Sequence, residues 1–285
     1  MDWRLIKDVV VRALYEDSTW GDITSEALID PKNKSEMVFV LKEDGVLAGM
    51  KVAEMVFKEV DPEIEWQPLH FDGERIKGMT SIINVRGNSL SILRAERIAL
   101  NFLQRLCGIA TNTRKFVDEV EKVSKNVRIV DTRKTTPGLR YLERYAVRVG
   151  GGFNHRNNLS DSVLIKDNHL SIIKEEGKSI IDAIKFAKSK LSHTVKIEVE
   201  VDSLDQLKEV IKTDVDSILL DNMSCDKLKQ AVSIINGKAL AEASGGVSLK
   251  TVAEIAATGV DIISVGELTY ASKSLDISLD YKTKS

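Results

Sequence analysis

The chain has 285 residues, of which 43% are hydrophobic and 29% charged, with a formal net charge of −2. That is ordinary soluble globular composition, enough for one large domain or two smaller ones with packed cores. The near-neutral balance gives no electrostatic case for a nucleic acid or a membrane surface as partner, so any basic cluster is local and suits a small anion.

The first eighteen residues, MDWRLIKDVVVRALYEDS, place Leu5, Ile6, Val9, Val10, Ala13 and Leu14 at helical spacing between charges. They read as an amphipathic helix and not as a signal peptide, which needs an unbroken apolar stretch. No apolar run approaches the roughly 18 residues of a membrane span. After a capping turn at Thr19–Thr24, strands are expected at Met37–Leu41, Ile64–Leu69 and Ser81–Val85. A helix at about Gly49–Val60 crosses between the first two, giving an α+β pattern. From Ser91 the spacing of Leu93, Ile98, Leu100, Leu103 and Leu106 predicts helix, and Gly108 reads as a break between two helices. Cys107 reads as a small buried residue. It and Cys225 form neither a CxxC pair nor a disulfide framework, which points to a reduced cytoplasmic setting. The four histidines lack metal-ligand spacing such as HExxH, which argues against a structural zinc site.

Beyond Val127 short apolar runs recur at Val127–Val130, Val163–Ile165, Val195–Val199, Ser217–Leu220, Ala239–Ala243 and Ile262–Val265. Helical segments separate the later runs: Ile180–Lys190, Leu204–Ile211, Cys225–Ile235 and Leu249–Thr258. Strand–helix alternation of this length means parallel βα units. Without a dinucleotide glycine fingerprint, six such runs favour an α/β barrel or partial barrel over a doubly wound sheet. The expected division is an N-terminal α+β domain, 1–110, and a barrel, 111–267, with the tail 268–285 returning to the first domain.

Barrel chemistry sits at the C-terminal strand ends. The residues that follow each run are, in turn, Arg133 and Lys134; Lys166, Asn168 and His169; Glu200 and Asp202; Asp221 and Asn222; Glu242 with Ser244, Gly245 and Gly246; and Gly266 with Glu267. Glycine turns let backbone N–H groups approach a phosphate. Carboxylates suit a ribose diol or Mg2+, and the cations suit an acid that guanidinium grips bidentately. Taken singly the bland readings hold. Lys166 could be a solvated strand end, His155 a structural histidine, Gly150–Gly152 a flexible turn, and Glu200 in KIEVEV a solvent-facing residue on a sheet edge. Their convergence on one barrel face favours a site for a sugar phosphate beside a polycarboxylate.

The stretches VDTRKTTPGLR, GGGFNHRNNLSDSVLIKDNH, EVEVDSLDQL, ILLDNM, EASGGV and ISVGELT resemble, in order, the motifs of quinolinate phosphoribosyltransferases, the carboxylating nicotinate-nucleotide pyrophosphorylases. GDITSEAL and AERIALNFLQRLCGIAT extend the resemblance over nearly the whole chain. It implies an N-terminal α+β domain on an incomplete α/β barrel, and a homodimer with shared sites, higher assembly being left open, acting on quinolinate and phosphoribosyl pyrophosphate with Mg2+. Arg133, His155, Arg156 and Lys166 would hold the quinolinate carboxylates, with Arg97 supplied by the other subunit. Lys134 would lie between the acid and the pyrophosphoribosyl group, and Glu200 and Asp221 would engage the ribose hydroxyls and the metal. Ser244, Gly245, Gly246 and Gly266 would cradle the 5′-phosphate. Two positions depart from the pattern: Asn157-Asn158, where a glycine is usual at the second place, and Tyr270, where histidine is common. A molybdenum-transport-associated paralogue shares part of this pattern but lacks the LIKDNH segment present here. A nicotinate phosphoribosyltransferase would not need so many cations, and a non-catalytic phosphate-binding barrel would not need Lys134 or Arg97.

Overall fold

The computed structural model describes residues 3–282. Internal packing divides the chain into two units: Met1–Arg114 with Thr135–Gly151 and Leu268–Ser285, and Lys115–Lys134 with Gly152–Glu267. In chain order the elements begin with helices α1 (Trp3–Ser18) and α2 (Ile23–Leu28), strands β1 (Lys34–Leu41) and β2 (Gly45–Val46), and helix α3 (Met50–Val60). Strands β3 (Glu65–Pro68), β4 (Arg75–Ile76) and β5 (Thr80–Asn88) and helix α4 (Ser89–Glu121) follow. The chain continues through β6 (Arg128–Val130), α5 (Arg140–Val149), β7 (Val163–Ile165), α6 (Asp167–Glu175) and α7 (Ile180–Lys190). It ends with β8 (Ile197–Val201), α8 (Leu204–Val210), β9 (Ser217–Asp221), α9 (Cys225–Ile235), β10 (Leu240–Ser244), α10 (Val252–Ala256), β11 (Ile262–Ser264), α11 (Glu267–Tyr270) and β12 (Ile277–Tyr281).

The first unit holds an antiparallel sheet in the order β12-β1-β5-β3. Its tail strand β12 pairs with β1, Leu279 opposite Phe39. Phe39, Phe57 of α3 and Trp66 of β3 form an aromatic cluster with ring centroids 5.4–5.8 Å apart, at the separations such rings favour. Asp22 caps α2 by accepting from the Ser25 N–H at 3.1 Å, as the turn at Thr19–Thr24 suggests. Cys107 is fully buried, and burial pushes its thiol up to about 12, so it packs as an inert apolar group.

Gly108 does not break the helix: α4 runs through it for 33 residues. Its role is steric, because a Cβ there would stand 2.0 Å from the Lys273 carbonyl oxygen. The glycine lets the C-terminal segment lie directly on α4. A second difference concerns 135–151, expected in the barrel, which packs with the first unit. Its α5 carries Glu143, fully buried, which accepts from Arg105 Nη2 at 2.8 Å and from the Thr136 N–H at 3.0 Å.

The second unit contains one parallel sheet in the order β6-β11-β10-β9-β8-β7. All six runs expected from the sequence are strands. They follow one another around an incomplete barrel, and the opening falls between β6 and β7. Phe153 forms a one-residue parallel bridge with Val130 there, the beginning of a further strand. α8 packs on β8, α9 on β10 and α10 on β11. Outward residues such as Val199, Ile218, Leu220, Ala241, Ala243 and Ile263 are buried. The opposite parity faces the interior, and there the sequence turns polar.

Candidate active site

A cavity of about 610 Å3 opens at the C-terminal ends of these strands, within the second unit. Its lining follows the period of two in a strand. β7 gives Leu164 and then Lys166, β9 gives Leu219 and Asp221, and β10 gives Glu242 and Ser244. Glu200 of β8, Ser264 of β11, and Thr132, Arg133 and Lys134 after β6 complete that wall, with His155 and Arg156 from the segment beside β6. This size suits a drug-sized or nucleotide-sized ligand.

The cations stand together. Arg156 donates from Nη1 to the Ser162 carbonyl at 2.9 Å. Its pKa is lowered, first by burial and then by the charge of Arg133. Two guanidinium groups held this close in a half-buried wall call for an anion. Lys166 is exposed and donates from Nζ to Glu200 Oε2 at 2.9 Å. Glu200 is therefore an interior residue and not a solvent-facing one, its side chain 14% exposed. In a barrel, alternation of apolar and polar residues marks outside against inside, not core against solvent.

Carboxylates and glycines form the opposite side. Asp221 accepts from Asn222 Nδ2 at 2.7 Å. The turn after β10 carries Gly245 at φ +87° and Gly246 at φ +61°. A Cβ on Gly245 would meet Asn222 Oδ1 at 2.2 Å, so the close approach of these two loops requires glycine. A smaller cavity of about 290 Å3 shares Glu200 and Asp221 with the main one. Hard oxygen donors on a shared wall fit Mg2+, which takes one or two carboxylates and leaves its other positions to water and substrate oxygens.

Beneath the cations lies a cluster that sequence spacing did not reveal. His155 Nε2 is 3.0 Å from Glu198 Oε2 and 3.5 Å from Glu242 Oε1, and all three side chains are largely buried. Burial works against the charged imidazole, but the hydrogen bonds and charges of Glu198 and Glu242 override it and raise its pKa to about 10. Burial also opposes ionisation of Glu198, yet the hydrogen bond and charge of His155 hold that carboxyl below its usual range. Glu242 is pushed the other way, chiefly by burial. The ring and the two carboxyls form one buried, hydrogen-bonded group. On the other side of the ring, His155 Nδ1 accepts from the Arg156 N–H at 2.7 Å. Among the described residues these three are also the group spaced closely enough to hold a metal ion. Glu242 stood in the sequence reading as a strand-end residue, but Glu198 did not. The sign available was KIEVEV itself, where Glu198 and Glu200 share a face.

The remaining expected positions fall as follows. Ser244, Gly245 and Gly246 line the cavity. Gly266 follows β11 and is not among the lining residues, and Arg97 is exposed on α4 in the first unit. His169 caps α6, its Nδ1 accepting from the Lys166 N–H at 2.9 Å. Neither Asn157 nor Asn158 takes a left-handed backbone. Their turn is closed by Asp161 accepting from the Asn157 N–H at 2.7 Å and Asn158 accepting from the Ser160 N–H at 2.9 Å, so it needs no glycine. Tyr270 is 62% exposed.

An incomplete parallel barrel with cations, carboxylates and a glycine turn at its strand ends defines an α/β-barrel enzyme of anionic, phosphate-bearing ligands. The family models for the N-terminal and C-terminal domains of quinolinate phosphoribosyl transferase match residues 22–107 and 109–280. The chain belongs to that family. It is 40% identical to "Quinolinate phosphoribosyltransferase [decarboxylating] 2b, mitochondrial" of Nicotiana tabacum, over 98% of this chain and 83% of the tobacco protein. It is likewise 40% identical to the "Probable nicotinate-nucleotide pyrophosphorylase [carboxylating]" of Synechocystis sp., over 97% and 92% of the two chains. The solved structure of NadC from Streptococcus pyogenes superposes with a TM-score of 0.94 at 38% identity, covering 99% of each chain.

Proposed function

We propose that this protein transfers the phosphoribosyl group of phosphoribosyl pyrophosphate to the ring nitrogen of quinolinate. The products are nicotinate mononucleotide, pyrophosphate and carbon dioxide. The observation that carries this reading is a single cavity with Arg133, Lys134, Arg156 and Lys166 on one side and Glu200, Asp221 and the Gly245-Gly246 turn on the other. That polarity fits a dicarboxylic acid set against a sugar phosphate.

The cations orient the diacid so that its ring nitrogen faces the anomeric carbon. His155 lines the same wall. As the C–O bond to pyrophosphate breaks, positive charge develops on the ribose ring, and Glu200 and Asp221 stabilise it. Glu200 and Asp221 would also hold Mg2+, which when bound neutralises charge on the leaving pyrophosphate. The C–N bond leaves the ring cationic, so it accepts the electron pair released when the neighbouring C–CO2 bond breaks, and the ring carbon then takes a proton. Ground-state grip on the departing carboxylate must stay modest, since binding it tightly would slow its loss. Lys134 lines the same cavity, and its ammonium would bind pyrophosphate or deliver that proton. Lys134→Arg separates the two, because arginine keeps the charge but does not release a proton at neutral pH. Ser244, Gly245 and Gly246, which line the cavity, receive the 5′-phosphate.

A homodimer with shared sites, Arg97 of each copy reaching the acid bound by the other, completes the proposal. Its support is the AERIALN stretch and the exposure of Arg97. Two unpaired thiols, Cys107 and Cys225, agree with a reducing compartment such as the cytoplasm.

The deciding experiment incubates the purified protein with quinolinate, phosphoribosyl pyrophosphate and Mg2+. Carbon dioxide and nicotinate mononucleotide are expected in equal amounts. Turnover of nicotinate with none of quinolinate would overturn the reading.

A further inference from the structure

β6 and β7 are the edge strands of the parallel sheet, and residues 153–156 begin beside β6. A short backbone ladder joins the two segments. The Phe153 N–H donates to the Ile129 carbonyl at 2.8 Å, and the Asp131 N–H donates to the Phe153 carbonyl at 3.1 Å. Arg128 adds a cation–π contact, its guanidinium carbon 5.2 Å from the centre of the Phe153 ring. One step further along, a side chain makes the link. Asp131, fully buried, accepts from Asn154 Nδ2 through Oδ2 at 2.5 Å and from the His155 N–H through Oδ1 at 2.9 Å. Each carboxylate oxygen serves one residue of the neighbouring segment. Burying a carboxylate is costly unless it is hydrogen-bonded, and an apolar residue would fill the place at less cost. What only the carboxylate can do is fix two successive residues of one segment against the start of another. Both segments carry a guanidinium into the cavity: Arg133 stands two residues after Asp131, and Arg156 directly follows His155. Asp131 therefore lies at the root of both arms. Neither it nor Asn154 is among the lining residues, so both act through others.

We propose that Asp131 is a positioning residue for the acid substrate: by holding Asn154 and the His155 backbone it sets the spacing between Arg133 and Arg156, and so selects diacids whose carboxylates stand on adjacent ring carbons. This rests on the reading of the cavity as a quinolinate site. A guanidinium fork grips a carboxylate in a fixed geometry. The separation of two forks therefore decides which pair of carboxylates both can grip at once. In quinolinate and phthalate the two carboxylates leave adjacent ring carbons, whereas in isophthalate a further ring carbon lies between them. A rigid pair of arms distinguishes these spacings, and a loosened pair does not.

The test compares Asn154→Leu and Asp131→Asn with the wild type, using calorimetry with phthalate and isophthalate and steady-state kinetics with both substrates. Leucine has the size of asparagine but no donor, and asparagine at 131 keeps one acceptor while turning an NH2 towards the other donor. The wild type should bind phthalate about tenfold more tightly than isophthalate, the difference made by one hydrogen bond between charged groups. In Asn154→Leu that preference should fall to about threefold or less, and KM for quinolinate should rise about tenfold. KM for phosphoribosyl pyrophosphate should stay within about twofold, since its groups lie on the other side of the cavity. Asp131→Asn should do the same or more. Arg156→Ala removes one arm outright, so adding Asn154→Leu to it should change phthalate affinity by less than about twofold. A wild type without the preference, a preference kept in Asn154→Leu, equal rises in both KM values, or additive losses in the double variant would overturn the proposal. Asn154 is only partly buried, so its variant decides the matter even if Asp131→Asn fails to fold. Wild-type turnover of quinolinate is measured alongside. Protein that neither turns over quinolinate nor binds phthalate fails the substrate reading, whereas protein that does both, with its preference unmoved by Asn154→Leu, fails only the role given to Asp131.

Discussion

Lys166 Nζ lies 2.9 Å from Glu200 Oε2, across the neighbouring strands β7 and β8. The two residues belong to opposite halves of the proposed site, one on the acid and the other on the sugar. Each is the other's counter-ion. A diacid that draws Lys166 away frees Glu200, so the two substrates should favour each other's binding. Phthalate has the two carboxylates and no ring nitrogen, so its affinity can be measured with and without phosphoribosyl pyrophosphate and Mg2+. A coupling of about 1–3 kcal/mol is expected by calorimetry, and by reciprocity it is the same for either order of addition. Glu200→Gln should abolish most of it. Independent binding in the wild type would refute the exchange.

Burial first, and then the charge of Arg133, lower the pKa of Arg156, and a bound dianion relieves the repulsion between the two guanidinium groups. Arg133→Ala should therefore weaken phthalate binding by about 1.5–3 kcal/mol, the range for a lost charged hydrogen bond. Affinity for phosphoribosyl pyrophosphate should move far less. Comparable losses for both ligands in the same titrations would place Arg133 elsewhere.

The barrel was legible because its strands are short apolar runs at regular intervals, and each strand ends within two residues of the run expected from the sequence. Lys166, Glu200, Asp221 and Ser244 could be read as strand ends without any contact information. Glu198 could not, because a carboxylate in the middle of an alternating strand looks solvent-facing until the strand is known to line a barrel. Gly108 misled for a different reason. Its isolated position looks like a helix break, whereas the constraint comes from Lys273, 165 residues later, whose carbonyl leaves no room for a side chain. The placement of 135–151 was hidden likewise: Glu143 bonds to Arg105 and Thr136, and nothing local shows that α5 packs with the first unit. Local pattern specifies elements, while long-range steric and ionic pairings decide which elements join.

The neighbouring glycines after β10 should respond differently to alanine. Gly245 combines φ +87° with a Cβ position 2.2 Å from Asn222 Oδ1, whereas a Cβ on Gly246 meets nothing within 4 Å. Gly246→Ala should cost only the left-handed backbone penalty, about 1–2 kcal/mol. Gly245→Ala adds displacement of the Asn222 loop and should cost more, with a rise in KM for phosphoribosyl pyrophosphate that exceeds any rise for quinolinate. Chemical denaturation of both variants measures the first effect and kinetics the second. Equal destabilisation would mean that the Asn222 side chain yields freely.

Arg97 and Lys134 test whether a site is built from two chains. If Arg97 of one copy serves the cavity that contains Lys134 of the other, Arg97→Ala and Lys134→Ala homodimers are each inactive at both sites. A mixed dimer then has one site with both defects and one with neither. Random exchange makes half the dimers mixed, so recovery should approach about a quarter of wild-type activity, as the symmetry of a two-fold assembly dictates. Subunit exchange is verified first by native mass spectrometry with one variant isotopically labelled. Verified mixed dimers that remain inactive would mean that Arg97 and Lys134 act within one chain, or that Arg97 does not reach the acid.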